Sequence, residues 1–470
     1  MVELSARLEA DPGLGLLQTL PAIVRARSFY ARMQQFANLC YGPIFGNGLA
    51  AWHGRSGNFW GHNAILRTAA FADSARLPLL DGKPPFGGAV LSHDFIEAAL
   101  LRRAGWGVRL DTDLEGSYEE APPSLSDVMV RDRRWCQGNL QHIKFLFAPG
   151  LAFTTRMHLL AGIMAYLSAP LWLGLVFVGL IIAVQAAITE PVYFPGPSLF
   201  PAWPIFDTAR AIALFLVSTA IVLTPKALGW LSVMLNPRRL LRFGGPFALT
   251  TGVIVEVLMS ALYAPVMMVA QSQIVCDILS GRDSGWATQR RGRGFVGLGE
   301  ALRRHRWHIS LGVALAIVAY FLNPDLLLWM LPVTAGLILA AFLSWISGSE
   351  RLGRTLRTFA ILRTPEEKRP GYGKILTTYE DKLAWYATPS DSTLSMLRSD
   401  RIFREWHLAQ LPVNMTSHFD APLILARAKA ARASSIDALE SWLTREELFA
   451  FLHDPNLVEA LAPEVLPRAS

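Results

Sequence analysis

SHDFIEAALLRRAGWGVRL (residues 92–110), an acidic turn, and then RDRRWCQGN (residues 131–139) form the stretch that decides how this chain is read. The first piece reads as a helix that starts at a carboxylate, Asp94, and closes on Arg102, Arg103 and Gly105. The apolar WGVRL then reads as a strand. After the loop DTDLEGSYEEAPP comes a second helix, which Ser124 caps through Asp127. On it Arg131 lies three residues before Arg134 and four before Trp135, so the three share a face. A lone carboxylate can take a proton from a hydroxyl, while an arginine fork and an indole can hold a phosphorylated leaving group and a sugar ring.

Each of these residues has a plainer reading. Asp94-Phe-Ile-Glu97 fits an acidic helix cap with a Glu three residues on. The two roles are compatible, because helix N-termini lie where ligands collect. RDRRW also fits a basic helix lying along a membrane surface, with Trp135 as its interfacial anchor.

The rest of the N-terminal part, residues 1–156, has α/β grammar. An apolar strand at 15–19 follows the turn signal Asp11-Pro12-Gly13, and a helix covers 28–39. Residues 1–9 read as a helix entering that strand with no strand before it, so the chain is expected to begin inside a domain. In NFWGHNAILRT (58–68) a strand end can line a sugar pocket, with Trp60 as a stacking face and His62 and Asn63 as hydrogen-bonding groups; a strand and its turn is the alternative.

Across 470 residues, 52% hydrophobic content with 17% charge points to a membrane protein. The formal charge of +7 is explained by arginines flanking membrane spans, without nucleic acid. Cys40, Cys136 and Cys276 form no CxxC pattern and read as core or membrane residues, and no metal site is expected among them. The opening MVELSARLEADPG has no signal-peptide pattern. The membrane part, 157–348, carries apolar runs at 157–188, 211–235, 249–271, 309–322 and 326–346. The first would be about 48 Å long as one helix, against a hydrocarbon core of about 30 Å, so it is expected to begin in the interface or kink near Pro170. The Pro-rich 191–206 reads as a periplasmic loop, NPRRLLRFGG as a cytosolic turn, and LGEALRRHRW (298–307) as an interfacial helix. Glu256 in the third run either faces a polysaccharide path or pairs with Lys226. Five crossings would leave the two ends of the membrane part on opposite sides, yet the basic GSERLGRTLRTF after the last run belongs with the cytosolic side, so either one run is re-entrant or interfacial or there is a further crossing; 309–322 is short for a span, while a single crossing by 249–271 would put the basic 282–307 outside. Residues 349–470 read as a small helical cytosolic tail, regulatory, docking or merely solvating, with a capping box at Thr444 and Glu447.

Taken together, Gln18-Thr19, GHNAILR, SHDFIEAALLRRAGW, DLEGSYEE, RDRRWCQGN and AYLSAPLWL resemble the glucans biosynthesis glucosyltransferase H family, a branch of the family 2 inverting glycosyltransferases. The resemblance implies a partial GT-A-like α/β domain followed by an α-helical transmembrane bundle in the bacterial inner membrane. It also implies that Asp94 is the general base and that Arg131, Arg134 and Trp135 match a Q-x-x-R-W signature, with Arg131 in place of the Gln. UDP-glucose would be the donor, a β-glucan the acceptor, and a periplasmic glucan-processing protein a partner. The family's Asp-x-Asp, which holds a divalent metal (Mg or Mn), lies upstream of the segment matched here. Asp111 and Asp113 have that spacing but not that position and read as loop acids. The chain alone is therefore expected to insert into the membrane without making glucan. Two rivals stand beside this reading: a non-catalytic membrane scaffold or export subunit, and a cellulose-like or hyaluronan-like synthase.

Overall fold

The computed structural model describes residues 2–74, 76–189, 208–282, 297–367, 378–379, 392–411 and 421–462, in two compact units, Met1–Gly373 and Lys374–Ser470. The Pro-rich 191–206 loop and most of the basic stretch after residue 282 lie outside the described residues.

In chain order the first unit opens with α1 (Val2–Glu9), β1 (Leu14–Thr19), β2 (Ala22–Ile23), α2 (Phe29–His53), β3 (Ala64–Leu66), α3 (Thr68–Ser74), α4 (His93–Arg103), β4 (Gly107–Asp111), β5 (Tyr118–Glu119) and α5 (Leu125–Gln141). β1 is the middle strand of a three-stranded sheet, antiparallel to β3 and parallel to β4; β2 and β5 pair parallel in a second, short sheet. All six residues of β1 are buried, as in a strand covered on both faces. A register shift between Leu14 and Leu16 puts Leu14 and Leu17 together against α1, while Leu16 meets Ala98 and Leu101 of α4. α2 starts where Ser28 caps Ala31 and runs well past the expected end at 39, through Pro43. A proline inside a helix costs about 3 kcal/mol. The apolar face of Phe29, Met33, Phe36 and Cys40, buried in the largest core, offsets that cost.

The membrane part carries α6 (Phe153–Ile188), α7 (Thr208–Met234), α8 (Pro237–Arg242), α9 (Pro246–Leu279), α10 (Leu298–Leu322), α11 (Pro324–Ile338) and α12 (Ala340–Ser347). By length and composition α6, α7, α9 and α10 are long and apolar enough to cross a membrane, and α11 with α12 makes a fifth candidate bent by 53°. α6 is one unbroken helix through Pro170. LGEALRRHRW is not the separate interfacial helix expected from the sequence; it forms the first turns of α10, because no residue between it and the apolar run breaks the helix. The turn NPRRLLRFGG instead contains the short basic helix α8, capped by Asn236.

α9 joins the two parts of the first unit. Along its length it packs on the α/β part: Gly252 against Phe36, Glu256 against Tyr41, Tyr263 edge-on to Tyr30 at 5.2 Å, Gln271 on Asp132 at 2.9 Å and Asp277 on Arg133 at 3.0 Å. α9 also packs on the apolar helices, with Met268 and Val269 against Leu173, Leu315 and Leu337, so it ties the α/β part to them while keeping the length and composition of a span. The chain also returns: the Phe29 amide donates to the Ser349 carbonyl at 3.2 Å, and α13 (Glu350–Thr358) packs on α2 so closely that a Cβ on Gly353 would fall 2.1 Å from the Arg27 carbonyl oxygen. An even number of crossings satisfies both contacts. Residues 349–367 thus belong to the first unit, with Arg32 and Gln35 bonded to Glu367 and Glu366 at 2.5 Å, and not to the tail that began at 349 in the sequence reading.

The second unit is more than a solvating tail. Its short helices enclose a core of Leu394, Leu397, Ala426, Leu439, Phe451, Val458 and Leu461. The capping box at Thr444 and Glu447 is formed in both directions.

Candidate active site

α4 places Asp94, though not as its cap. Ser92 is the N-cap, Asp94 sits in the first turn, and Glu97 bonds His93 Nδ1 at 2.9 Å instead of reaching back. The capping-box reading of Asp94 and Glu97 is corrected accordingly: the helix begins two residues early, which releases the Asp94 carboxylate from the cap position. That carboxylate accepts the Ser92 hydroxyl at 3.2 Å and nearby backbone N–H groups. Burial raises its pKa, and these bonds offset the rise only in part. A partly desolvated carboxylate is a stronger base than one in water.

The loop carrying Trp60, His62 and Asn63 folds over Asp94. Gly61 has φ +84°, and a Cβ there would lie 3.1 Å from Asp94 Oδ2, so only glycine lets this backbone approach the carboxylate. The buried Gln18 fixes the loop by accepting the Trp60 amide at 2.8 Å. Asn63, at φ 54°, gives its side-chain amide to Ser117 Oγ at 2.7 Å and to the Tyr118 carbonyl at 3.3 Å, while its carbonyl accepts the Thr19 amide at 2.9 Å. Asn63 is therefore a joint between β1 and β5 in the loop that the sequence reading assigned to a sugar pocket. His62 stays half exposed, bonded to Asn63 Oδ1 at 2.7 Å and 3.6 Å from Glu119.

Sequence reasoning missed Glu119. It lies among the acids of DLEGSYEE, and nothing in that run singles it out. Only folding sets it between His62 and Arg131; burial raises its pKa, against the pull of those two groups.

α5 supplies the opposite wall. The Arg131 guanidinium lies 4.3 Å over the Trp135 ring, the cation–π contact that their four-residue spacing permits. Trp135 remains 41% exposed, and Arg134 is half-buried beside it. The remainder of RDRRWCQGN fixes this helix to the Asp94 loop. Cys136 is buried beside Tyr166 and Ile274, and Gln137 donates to the Pro85 carbonyl. Gly138 abuts Ser92 so tightly that a Cβ would meet Ser92 at 2.7 Å, and Asn139 closes on the Trp135 carbonyl at 2.8 Å. One turn on, Gln141 accepts the Leu91 amide at 3.0 Å, His142 Nε2 meets the Ser92 carbonyl at 3.1 Å, and the His142 ring stacks on Phe95. Burial pushes His142 down to about 4, so it is a neutral strut near pH 7. Asp94 and Trp135 thus sit on two helices bolted together at Ser92, with the Gly61 loop closing over the carboxylate.

The Asp-x-Asp pair does not fit a divalent cation. Asp111 is held by Arg7 at 2.7 Å and Arg109 at 2.8 Å, and Asp113 by Arg7 at 2.7 Å, so the arginines already neutralise these carboxylates. Among the described residues no cluster of three or more His, Cys, Asp or Glu is placed to hold a metal ion.

The sequence model of glycosyl transferase family group 2 matches residues 1–275. A protein of Vibrio cholerae named glucans biosynthesis glucosyltransferase H is 44% identical over 98% of this chain and 65% of its own length. Proteins of the same name from Rhodopseudomonas palustris and Shewanella baltica are 45% and 43% identical, over 98% and 97% of this chain and 64% of their own lengths. The chain therefore spans about two thirds of the length of the curated relatives it matches. With that family model covering more than half of the chain, this chain belongs to glycosyl transferase family group 2.

Proposed function

We propose that the chain acts in transfer of glucose from UDP-glucose to a growing β-glucan, with inversion, and that the glucan passes through the adjacent spans into osmoregulated periplasmic glucan biosynthesis. The names of the relatives support the product class, and the environment of Asp94 carries the chemistry. Inversion needs one base. Asp94, raised by burial and covered by the Gly61 loop, takes the proton from the acceptor hydroxyl as that oxygen attacks the anomeric carbon and the bond to the diphosphate breaks. Arg134 offers a planar fork to the departing diphosphate. Trp135, backed on one face by Arg131, presents the other to the acceptor sugar, and Trp60 and His62 line the loop opposite. The arginines of α8, between the two apolar helices α7 and α9, favour a cytosolic face for the α/β part, in the inner membrane.

The test is incorporation of labelled glucose from UDP-glucose by membranes containing a full-length relative that carries residues 1–470 in place of its own matching segment, beside binding of a β-glucan oligosaccharide to that purified protein by tryptophan fluorescence. Asp94→Asn is expected to reduce incorporation to background and keep oligosaccharide binding. Wild-type incorporation by Asp94→Asn would rule Asp94 out as the base; loss of binding with it would make Asp94 a structural residue and favour a non-catalytic scaffold.

A further inference from the structure

The short α8 sits at a cavity of about 630 Å³, separate from Asp94 and Trp135. Its lining includes apolar residues, among them Leu20, Ile23, Leu39, Pro43 and Phe243, together with two arginines, Arg239 and Arg242. Those arginines are three residues apart on α8 and therefore share a face. Arg239 is steered inward by bonds to the Leu39 carbonyl at 3.3 Å and Ser232 Oγ at 3.5 Å.

The position of α8 says what meets that cavity. It links α7, apolar enough to span a membrane, to α9, so it lies at the boundary between hydrocarbon and water, where lipid phosphates are. A guanidinium pair matches phosphate oxygens, and the apolar lining suits the glycerol backbone and the first methylenes of an acyl chain. The rim also holds Glu115 and Glu366. Glu366 is engaged by the Arg25 amide at 3.1 Å and by Gln35 at 2.5 Å.

We propose that this cavity binds one membrane phospholipid, its phosphate against Arg239 and Arg242 and its apolar part against Leu39 and Phe243. The site is coupled to the candidate active site by a single backbone segment. Ser117 and Tyr118 line the cavity, and the same two residues receive the Asn63 side chain that fixes the loop over Asp94. Along β5 successive side chains point to opposite faces, so Tyr118 faces the lipid while Glu119 faces His62 and Arg131. The inference does not depend on the glycosyl-transfer reading.

The experiment is native mass spectrometry of the full chain after delipidation in detergent, with phosphatidylglycerol or phosphatidylethanolamine added back, and inorganic phosphate and glycerophosphate as lipid-free probes. One retained phospholipid per chain is expected, with lipid retention at least tenfold above that of glycerophosphate. Arg242→Gln and the double variant Arg239→Gln/Arg242→Gln should lose it. Arg238→Gln, the same charge removed from the same helix but outside the cavity, should keep it. Melting temperature within a few degrees of wild type checks that the variants are folded; if the double variant is not, Arg242→Gln alone decides. Equal loss in Arg238→Gln would mean diffuse attraction to a basic surface and overturn the proposal. So would binding of glycerophosphate as tightly as lipid, or no lipid retained.

Discussion

Removing the carboxylate of Glu256 is expected to cost more stability than any other single change between the α/β part and the apolar helices. Glu256 is 3% exposed and accepts from Lys226 Nζ at 2.8 and 2.9 Å, from Ser260 Oγ at 2.7 Å and from the Tyr41 hydroxyl at 3.1 Å. It therefore joins α7, α9 and α2 at one point. Glu256→Ala leaves Lys226 without its counter-charge and the Tyr41 hydroxyl without its acceptor. Breaking a buried pair from one side costs about 3–5 kcal/mol. The Lys226 side chain is 22% exposed and can turn its ammonium toward water, which favours the lower end, about 3 kcal/mol. The orphaned buried hydroxyl of Tyr41 adds roughly 1 kcal/mol or more. The expected total is therefore about 4 kcal/mol. Glu256→Gln, which keeps the volume and an acceptor oxygen, should cost less. Replacing both partners, Lys226→Met with Glu256→Met, should come within about 2 kcal/mol of wild type, because neither charge is then buried unpaired. Unfolding in mixed micelles of increasing denaturing detergent, followed by circular dichroism, measures all three. If Glu256→Ala proves no less stable than the double variant, the pair is not coupled and the reasoning fails. Unchanged stability with lost glucan synthesis would instead return Glu256 to the polysaccharide path.

Three further outcomes follow from the site. Gly138→Ala should destabilise the protein by about 1–3 kcal/mol despite the better helix propensity of alanine, because the new methyl meets Ser92 at 2.7 Å; higher stability in a thermal melt would show that α5 and α4 are not in that contact. Trp135→Ala should weaken oligosaccharide binding roughly tenfold and Trp135→Phe less, as expected for a stacking face of about 1–2 kcal/mol; an unchanged affinity by fluorescence titration would make Trp135 a membrane anchor only. Because burial raises the Asp94 pKa, the folded state holds that proton more tightly than the unfolded chain, so the carboxylate subtracts stability as pH rises through its folded pKa. Asp94→Asn should therefore raise the melting temperature more at about pH 7 than at about pH 4, and a gain that is larger in acid would reverse the assigned sign.

Local chemistry made much of this protein legible before folding. Ser124 caps its helix, WGVRL is a strand, and Arg131 reaches Trp135, because capping, alternation and four-residue spacing are interactions between near neighbours in the chain. The apolar runs declared a membrane protein for a similar reason, since each helix must satisfy its own backbone in lipid. What residues far apart in the chain do to one another was not written in any window. A 34-residue apolar helix such as α9 has the composition of a span, and only folding shows that it also packs on Tyr30, Phe36, Asp132 and Arg133 of the α/β part. Asn63 and Glu119 followed the same rule in the site: an amide and a carboxylate in polar loops became a joint and a partner for His62 and Arg131 because the β2–β5 pairing brought residues 63 and 117–119 together. Burial, which raises Asp94 and lowers His142, depends on which distant chains exclude water from a side chain, and that is settled by packing and not by sequence neighbours.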